Sequence, residues 1–374
     1  MAGPAGSARP AGARRRARFH PLEVAAVRPL TADAIEVTFA VPDHLDGEFD
    51  YLPGQHVALR ADLDGAEVRR SYSLCRPPER GSVSVAIKRD QGGRFSTWAL
   101  SELSPGMTLD VMSPQGSFTS ALDSVAGAHV AGIAAGSGIT PIMALAGAVL
   151  SRSATSRFSL VYTNRSTTDV MFLDELADLK DRYPTRLAIH HVLSGEQRSA
   201  PLLSGRIDED RLQRIFADLL HPGTVDEWFL CGPFGLVQLC RDTLASAGVD
   251  AAHVRYELFT TGETRRADDP ARPVLVRADE PVVSIAFTLD GQAARVQSPV
   301  SAHETILAAA LRVRPDVPFA CAGGVCGTCR ARLVDGAVSM TENYALEPDE
   351  IARGYVLTCQ SHPTSDAVTV DYDV

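Results

Sequence analysis

Uninterrupted apolar runs of membrane length are missing from these 374 residues. The nearest approach, Ala128 to Leu150, carries no formal charge, but Gly136-Ser137-Gly138-Ile139-Thr140-Pro141 breaks it in the middle into a short strand and a short helix, which a soluble α/β domain can bury. No membrane segment is expected. Also missing from the first twenty residues are acids and any apolar stretch suited to secretion. That segment holds Arg9, Arg14, Arg15, Arg16 and Arg18 among Ala, Gly and Pro, and Pro4 and Pro10 disfavour the amphipathic helix of a transit peptide. A disordered tail over 1–18 is the expectation. Internal repeats of solenoid period are absent. No histidines pair at metal-ligand spacing, since the adjacent His190 and His191 would point to opposite faces of a strand. Basic residues are in deficit, 36 Lys and Arg against 46 Asp and Glu, and without the five tail arginines the count is 31 against 46. Nucleic-acid binding, which needs clustered cations to displace phosphate counterions, is excluded, whereas an acidic body suits docking against a basic protein.

Seven cysteines are present, and four of them carry the most specific pattern in the chain. Cys321, Cys326, Cys329 and Cys359 follow C-x4-C-x2-C, then x29, then C, the spacing with which plant-type ferredoxins hold a 2Fe–2S cluster. Between them Gly323, Gly324 and Gly327 let the backbone wrap the cluster and point amides at its sulfurs. A structural zinc ion also takes four thiolates, but zinc sites usually pair two short knuckles and only one is found here. The remaining Cys75, Cys231 and Cys240 are odd in number, which argues against a disulfide framework and for a reducing, cytoplasmic setting.

Texture along the chain predicts three domains. From 19 to 122, short alternating runs such as Ala34-Ile35-Glu36-Val37-Thr38-Phe39 and Val83-Ser84-Val85-Ala86-Ile87 lie between Pro, Gly and Asp turns, predicting an antiparallel β-barrel. From 127 to 258, apolar strands alternate with helical patterns, predicting an α/β domain with a parallel sheet. Residues 259–280 are polar, charged and proline-bearing, as a linker is. In 281–374 a hairpin around Asp290-Gly291, a helix from Glu304 to Leu311 and a closing strand from Ala367 to Tyr372 predict an α+β unit. Five basic residues face ten acids between Val300 and Val374, and Glu347, Asp349 and Glu350 are expected on a negative docking face.

Arg70-Ser71-Tyr72-Ser73, followed about twenty residues on by Gly92-Gly93-Arg94-Phe95-Ser96, resembles the flavin-binding motifs of the ferredoxin-NADP reductase superfamily. The resemblance implies FAD, with Tyr72 against the flavin ring, Ser73 at its reactive edge as a catalytic residue, and Arg70 on the phosphates. Lys88, Gly93 and Arg94 would complete the site, and Ser96 would cap the helix entered at Thr97. Lys88 and Arg94 also read as ordinary surface charges. Gly136-Ser137-Gly138-Ile139-Thr140-Pro141 resembles the Gly-x-Gly-x-Thr-Pro nucleotide loop of the same superfamily, with Gly136, Gly138, Thr140 and Pro141 around the pyrophosphate and Thr140 able to cap the helix. Cys231-Gly232-Pro233 resembles its Cys-Gly-Pro, which implies a catalytic Cys231 beside the nicotinamide, with Gly232 and Pro233 shaping that edge. Arg165, with Ser194 and Arg198 as weaker candidates, lies where a 2′-phosphate would sit, which favours NADPH with NADH possible; a solvent-facing Arg165 is the alternative.

Barrel, nicotinamide domain and C-terminal ferredoxin of β-grasp type, in that order, resemble the reductase components of multicomponent oxygenases. Within that group the cysteine loop and the run from Glu342 to Cys359 look most like the reductases of phenylacetyl-CoA epoxidases, and the reductases of 3-ketosteroid 9α-hydroxylases are similar in layout. The resemblance implies that hydride passes from NAD(P)H to flavin and single electrons pass through the cluster to the oxygenase component of a di-iron monooxygenase. A redox sensor with the same sites but no turnover is the alternative from another class. The electron-transfer component of a dihydroorotate dehydrogenase fits less well, because its last cysteine follows much sooner.

Overall fold

The computed structural model describes residues 17–122, 125–258, 280–314, 316–319 and 321–374. Most of the expected tail and all of the expected linker except Glu280 lie outside the described residues. The N-terminal unit is built from β1 (Phe19–Thr31), β2 (Ala34–Ala40), β3 (His56–Leu63), β4 (Ala66–Ser73), β5 (Ser82–Lys88), α1 (Arg94–Glu102) and β6 (Thr108–Met112). Its sheet runs β4-β3-β6-β1-β2-β5, and a bridge from Leu74 to Val85 joins the two ends into a barrel. Alternation in β2 turns Val37 and Phe39 into the core, and the β3–β4 hairpin closes through Asp64-Gly65, both at positive φ as a two-residue turn of the right twist requires.

The second unit holds β7 (His129–Ala135), α2 (Ile139–Arg152), β8 (Arg157–Asn164), α3 (Leu173–Arg182), β9 (Leu187–Leu193), α4 (Glu209–Ile215), β10 (Glu227–Gly232), α5 (Phe234–Ser246) and β11 (Val254–Leu258). All five strands are parallel, in the order β11-β10-β7-β8-β9. Strand order reverses between β7 and β10, so a crevice opens at their C-terminal ends, where such sheets bind ligands. The charge-free run splits into β7 and α2 as expected, and among the described residues no helix is long and apolar enough to cross a membrane.

The third unit contains β12 (Val282–Leu289), β13 (Gln292–Pro299), α6 (Ile306–Leu311), β14 (Arg330–Asp335), β15 (Val338–Met340), α7 (Pro348–Ala352), β16 (Tyr355–Leu357), β17 (Ser361–Pro363) and β18 (Ala367–Asp371). The main sheet is β13-β12-β18-β14-β16, with β12 and β18 parallel at its centre. The predicted hairpin turns at Asp290-Gly291, both at positive φ. Helix α6 begins later than Glu304, because Thr305 takes the capping position and its Oγ1 accepts from the Ala308 amide at 3.2 Å.

Barrel and parallel sheet share a core. Phe118 meets Phe229 edge-on at 5.2 Å, and the buried Glu227 carboxylate accepts from Ser120 Oγ at 2.6 Å and the Ala121 amide at 2.8 Å, fixing the connection between them. A second lock is ionic. The buried Glu36 carboxylate accepts from Arg76 at 2.5 and 2.7 Å and from Arg28 at 2.6 Å, and both arginines also reach Glu175 on α3. Burial alone would disfavour the Glu36 carboxylate, but the hydrogen bonds from Arg76 and Arg28 outweigh it and hold its pKa below the ordinary value of 4.5. A depressed carboxyl pKa stabilises the fold above the unfolded value, and that stability is lost as pH falls through the folded one. Glu36→Gln should therefore cost about 1–3 kcal/mol at neutral pH, less than a fully buried pair because both arginines reach solvent. Urea unfolding followed from neutral pH to below about 4 should show the wild-type advantage disappearing in acid; an advantage independent of pH would exclude the ionic lock.

Candidate functional site

Strand β4 carries Arg70, Tyr72 and Ser73 along the edge of the barrel that faces the other two domains. Side chains alternate on a strand, so Tyr72 turns to Phe95 of α1, 5.8 Å between ring centroids, while Ser73 turns toward β11. Its hydroxyl donates to Glu257 Oε1 at 3.2 Å. Glu257 lies beside Cys231 in the β10–β11 ladder, and Cys231 lies beside Ala134 on β7, so Ser73, Glu257 and Cys231 meet at the mouth of the crevice. Burial pushes the Glu257 carboxyl up to about 8, against the pull of the Ser73 hydrogen bond. Burial, with Glu257 next to it, also raises the Cys231 thiol well above its ordinary value and keeps it protonated. Sequence reasoning missed Glu257; the only local signal was one acid inside the apolar-bounded Val254-Arg255-Tyr256-Glu257-Leu258.

Two buried polar atoms at this mouth, Ser71 Oγ and Glu257 Oε2, have no protein partner, which suits a polar-edged planar group such as a flavin lying against Arg70 to Ser73. Helix α1 starts at Arg94 behind Gly93 with no side-chain cap. Ser96 is therefore not the cap expected from the sequence. It sits within the first turn, where its Oγ accepts from the Asp90 amide at 3.0 Å and shapes the loop before the helix. Lys88 and Arg94 hold protein partners: Lys88 pairs with Asp33 at 2.8 Å, and Arg94 donates to the Leu63 carbonyl at 2.7 Å.

The glycine loop behaves as the spacing requires. Gly136 has φ +53°, and a Cβ on Gly138 would run into the Cys231 carbonyl, so only glycine lets this loop approach β10. Thr140 does not cap α2, which starts at Ile139; its hydroxyl donates to the Ser137 carbonyl at 3.0 Å and braces the turn, with Pro141 in the first helical turn. Gly232 and Pro233 lead from β10 into α5 at the same mouth. Arg165 and Ser194 are exposed and adjoin at the ends of β8 and β9, where the Gly195 amide donates to the Arg165 carbonyl at 2.6 Å; Arg198 is exposed in the next loop.

The four cysteines converge in pairs. Cys321 lies within hydrogen-bonding reach of Cys326, and Cys359 within reach of Cys329. Among the described residues no three potential ligands converge on a single ion position. Two-and-two pairing suits a centre of two irons, each taking two thiolates. Ala322, Gly324 and Gly327 all take positive φ in this loop, and the Gly323 amide donates to Cys321 Sγ at 3.3 Å. A cavity of about 60 Å³ joins this centre to the rest of the site, lined by His56 and Phe118 of the barrel, Tyr256 and Glu257 of the sheet, and Val325 and Cys326. Of the three acids expected on a negative docking face, one is buried. Glu350 is buried against Arg330 at 2.6 Å, whereas Glu347, at the cap of α7, and Asp349, paired with Arg353, are both exposed.

Three family models match successive parts of the chain: an oxidoreductase FAD-binding domain over residues 21–120, an oxidoreductase NAD-binding domain over 133–242, and a 2Fe-2S iron-sulfur cluster binding domain over 287–364. The chain is 42% identical over 355 residues to one of the subunits of 1,2-phenylacetyl-CoA epoxidase from Escherichia coli (strain K12), covering 95% of this chain and 98% of that protein. It is 36% identical over 365 residues to the ferredoxin reductase component of 3-ketosteroid-9-alpha-monooxygenase from Mycobacterium tuberculosis, covering 94% and 95%. Phthalate dioxygenase reductase, a solved structure, shares the fold with a TM-score of 0.56 at 24% identity, covering 94% of this chain and 98% of that one.

The unfolded Glu257 carboxyl ionises near 4.5 and the folded one near 8, so its contribution to stability is complete below 4.5 and is lost as pH rises through 8. Glu257→Gln should remove a loss on the order of a few kcal/mol. Denaturant unfolding at about pH 5 and about pH 9 checks this, since wild type should weaken more than the variant between the two.

Proposed function

This chain belongs to the flavin- and 2Fe–2S-dependent reductases that serve oxygenases, and from that premise we propose that it takes electrons from NADPH and delivers them to the oxygenase component of a phenylacetyl-CoA epoxidase. The observation that carries the reading is the meeting of Ser73, Glu257, Cys231 and Cys326 around one junction, combined with end-to-end similarity to the epoxidase protein. When bound, FAD accepts a hydride from the nicotinamide and passes its electrons singly to the cluster. Arg70 and Tyr72 hold and cover the flavin, and Ser73 sits at its reactive edge. Gly93 and Ser96 shape the loop for the pyrophosphate, with Lys88 and Arg94 at its rim. Gly136, Gly138, Thr140 and Pro141 form the nucleotide turn, with Cys231, Gly232 and Pro233 at the nicotinamide. Glu257, half-ionised near pH 8, is placed to hold or move a proton there. Cys321, Cys326, Cys329 and Cys359 hold the two irons. The working units are 19–122, 127–258 and 281–374, and unpaired Cys75, Cys231 and Cys240 support a cytoplasmic location.

Protein made with adequate iron should hold flavin and about two irons per chain. Cys326→Ala should lose the cluster and oxygenase-coupled turnover while NADPH-to-ferricyanide activity persists; loss of both activities would refute separate sites. Turnover with the epoxidase oxygenase but not with a 3-ketosteroid oxygenase decides the partner. Support for NADPH comes from Arg165 with Ser194 at the ends of β8 and β9. Arg165→Ala should weaken NADPH relative to NADH by about 1.5–3 kcal/mol, read as the ratio of their kcat/KM values. Equal losses for both nucleotides would make Arg165 a solvent-facing side chain.

A further inference from the structure

Arg69, adjacent to the flavin-side Arg70, points to the opposite face of β4 and enters the third domain. It is 3% exposed. From the barrel side Glu67 takes its Nε and Nη2 at 2.7 Å, which fixes the guanidinium plane. Its other contacts include the barrel's Phe19, centroid 5.2 Å away, and the segment leading to the first cysteine. Arg69 lies over the Phe319 ring at 4.4 Å and donates from Nη1 to the Val317 carbonyl at 3.3 Å. Phe319 stands two residues before Cys321. Beside it, Cys326 packs with Ala58, Met112 and Phe19 of the barrel.

A buried guanidinium is costly unless it is paired and its donors are used, so a cation sunk between two domains holds them in one arrangement. The flat fork suits this task, since it stacks on aromatic rings while donating in its plane. Held by Glu67, it is a rigid peg of the barrel on which the cysteine loop is seated. We propose that Arg69 is a positioning residue for the electron-transfer step from flavin to cluster, fixing the loop that begins at Cys321 against the strand that carries Tyr72 and Ser73. The inference rests on the proposed flavin and cluster sites and adds what keeps them in register. Misplacement by about 1 Å can cost on the order of a hundredfold in an enzymic step, so loosening the peg should be visible in one phase alone.

The test is stopped-flow reduction of the full-length holoprotein by NADPH, with flavin bleaching and cluster reduction read separately, alongside iron content and hydrogen–deuterium exchange of residues 317–326. Arg69→Met should keep iron content and the rate of flavin bleaching, slow cluster reduction by about tenfold or more, and speed exchange in 317–326. Arg69→Lys, which keeps the charge over the ring but not the fork, should fall between. Phe319→Leu should reproduce the slow phase through the other half of the contact, and answers the question if Arg69→Met does not fold. Cluster reduction at the wild-type rate in the folded variants, or equal slowing of both phases, overturns the proposal. A wild-type chain without iron or without flavin reduction overturns the site reading too, and is recognised by appearing before any substitution.

Discussion

A carboxyl group buried where three domains meet is the constraint around which the rest is arranged. Glu257 accepts from Ser73 of the barrel, lies beside Cys231 in the parallel sheet, and lines the cavity that contains Cys326. An ionised carboxylate there would need a cation or several donors, yet the hydrogen bond it accepts comes from a neutral hydroxyl. The group therefore resists ionisation until about pH 8, which leaves it neutral or half-ionised under ordinary conditions and able to exchange a proton at little cost. Placing an arginine nearby would have secured the fold more simply and removed that property.

Such a junction exists only if the domains keep their relative positions, and the barrel is the platform for both contacts. Toward the nicotinamide-type sheet it uses Glu36, Arg28 and Arg76 against Glu175, together with the Phe118–Phe229 contact. Toward the cluster-bearing unit it uses Arg69, Phe19 and the small apolar cluster around Cys326. Direct contact between the other two units is also present, through Phe234 at the start of α5 and Tyr344, edge-on at 5.8 Å. The charged pairs at the first two interfaces specify one geometry, whereas apolar surfaces alone tolerate sliding.

Features dictated by local backbone chemistry were legible in the sequence. The cysteine spacing, Gly136 and Gly138, the Asp290-Gly291 hairpin and the strand–helix split of the charge-free run all depend on residues near one another in the chain. Features that depend on what folds against them were not. Ser96 and Thr140 have the chemistry of caps, but their helices start a turn earlier or one residue before, so each hydroxyl serves the preceding turn instead. Glu350 looked like a surface acid beside Asp349, and only the approach of Arg330 from β14 buries it. Glu257 looked like the polar position of an edge strand, because nothing in its five-residue strand announces Ser73 from 184 positions away.

Strand β4 shows how little sequence such an arrangement needs. Its period of two sends Tyr72 to α1, while Arg69, Ser71 and Ser73 face the other domains. Arg69 engages the cysteine-bearing unit and Ser73, four residues later on the same face, engages the sheet that carries Cys231, about 13 Å apart along an extended chain. One strand thus spans both interfaces. A one-residue slip of β4 against β3 would exchange these faces, turning Arg69 into the barrel and Tyr72 out of it. The register of a single hairpin, set by Asp64-Gly65, therefore controls whether Arg69 and Ser73 reach both neighbouring domains from one strand.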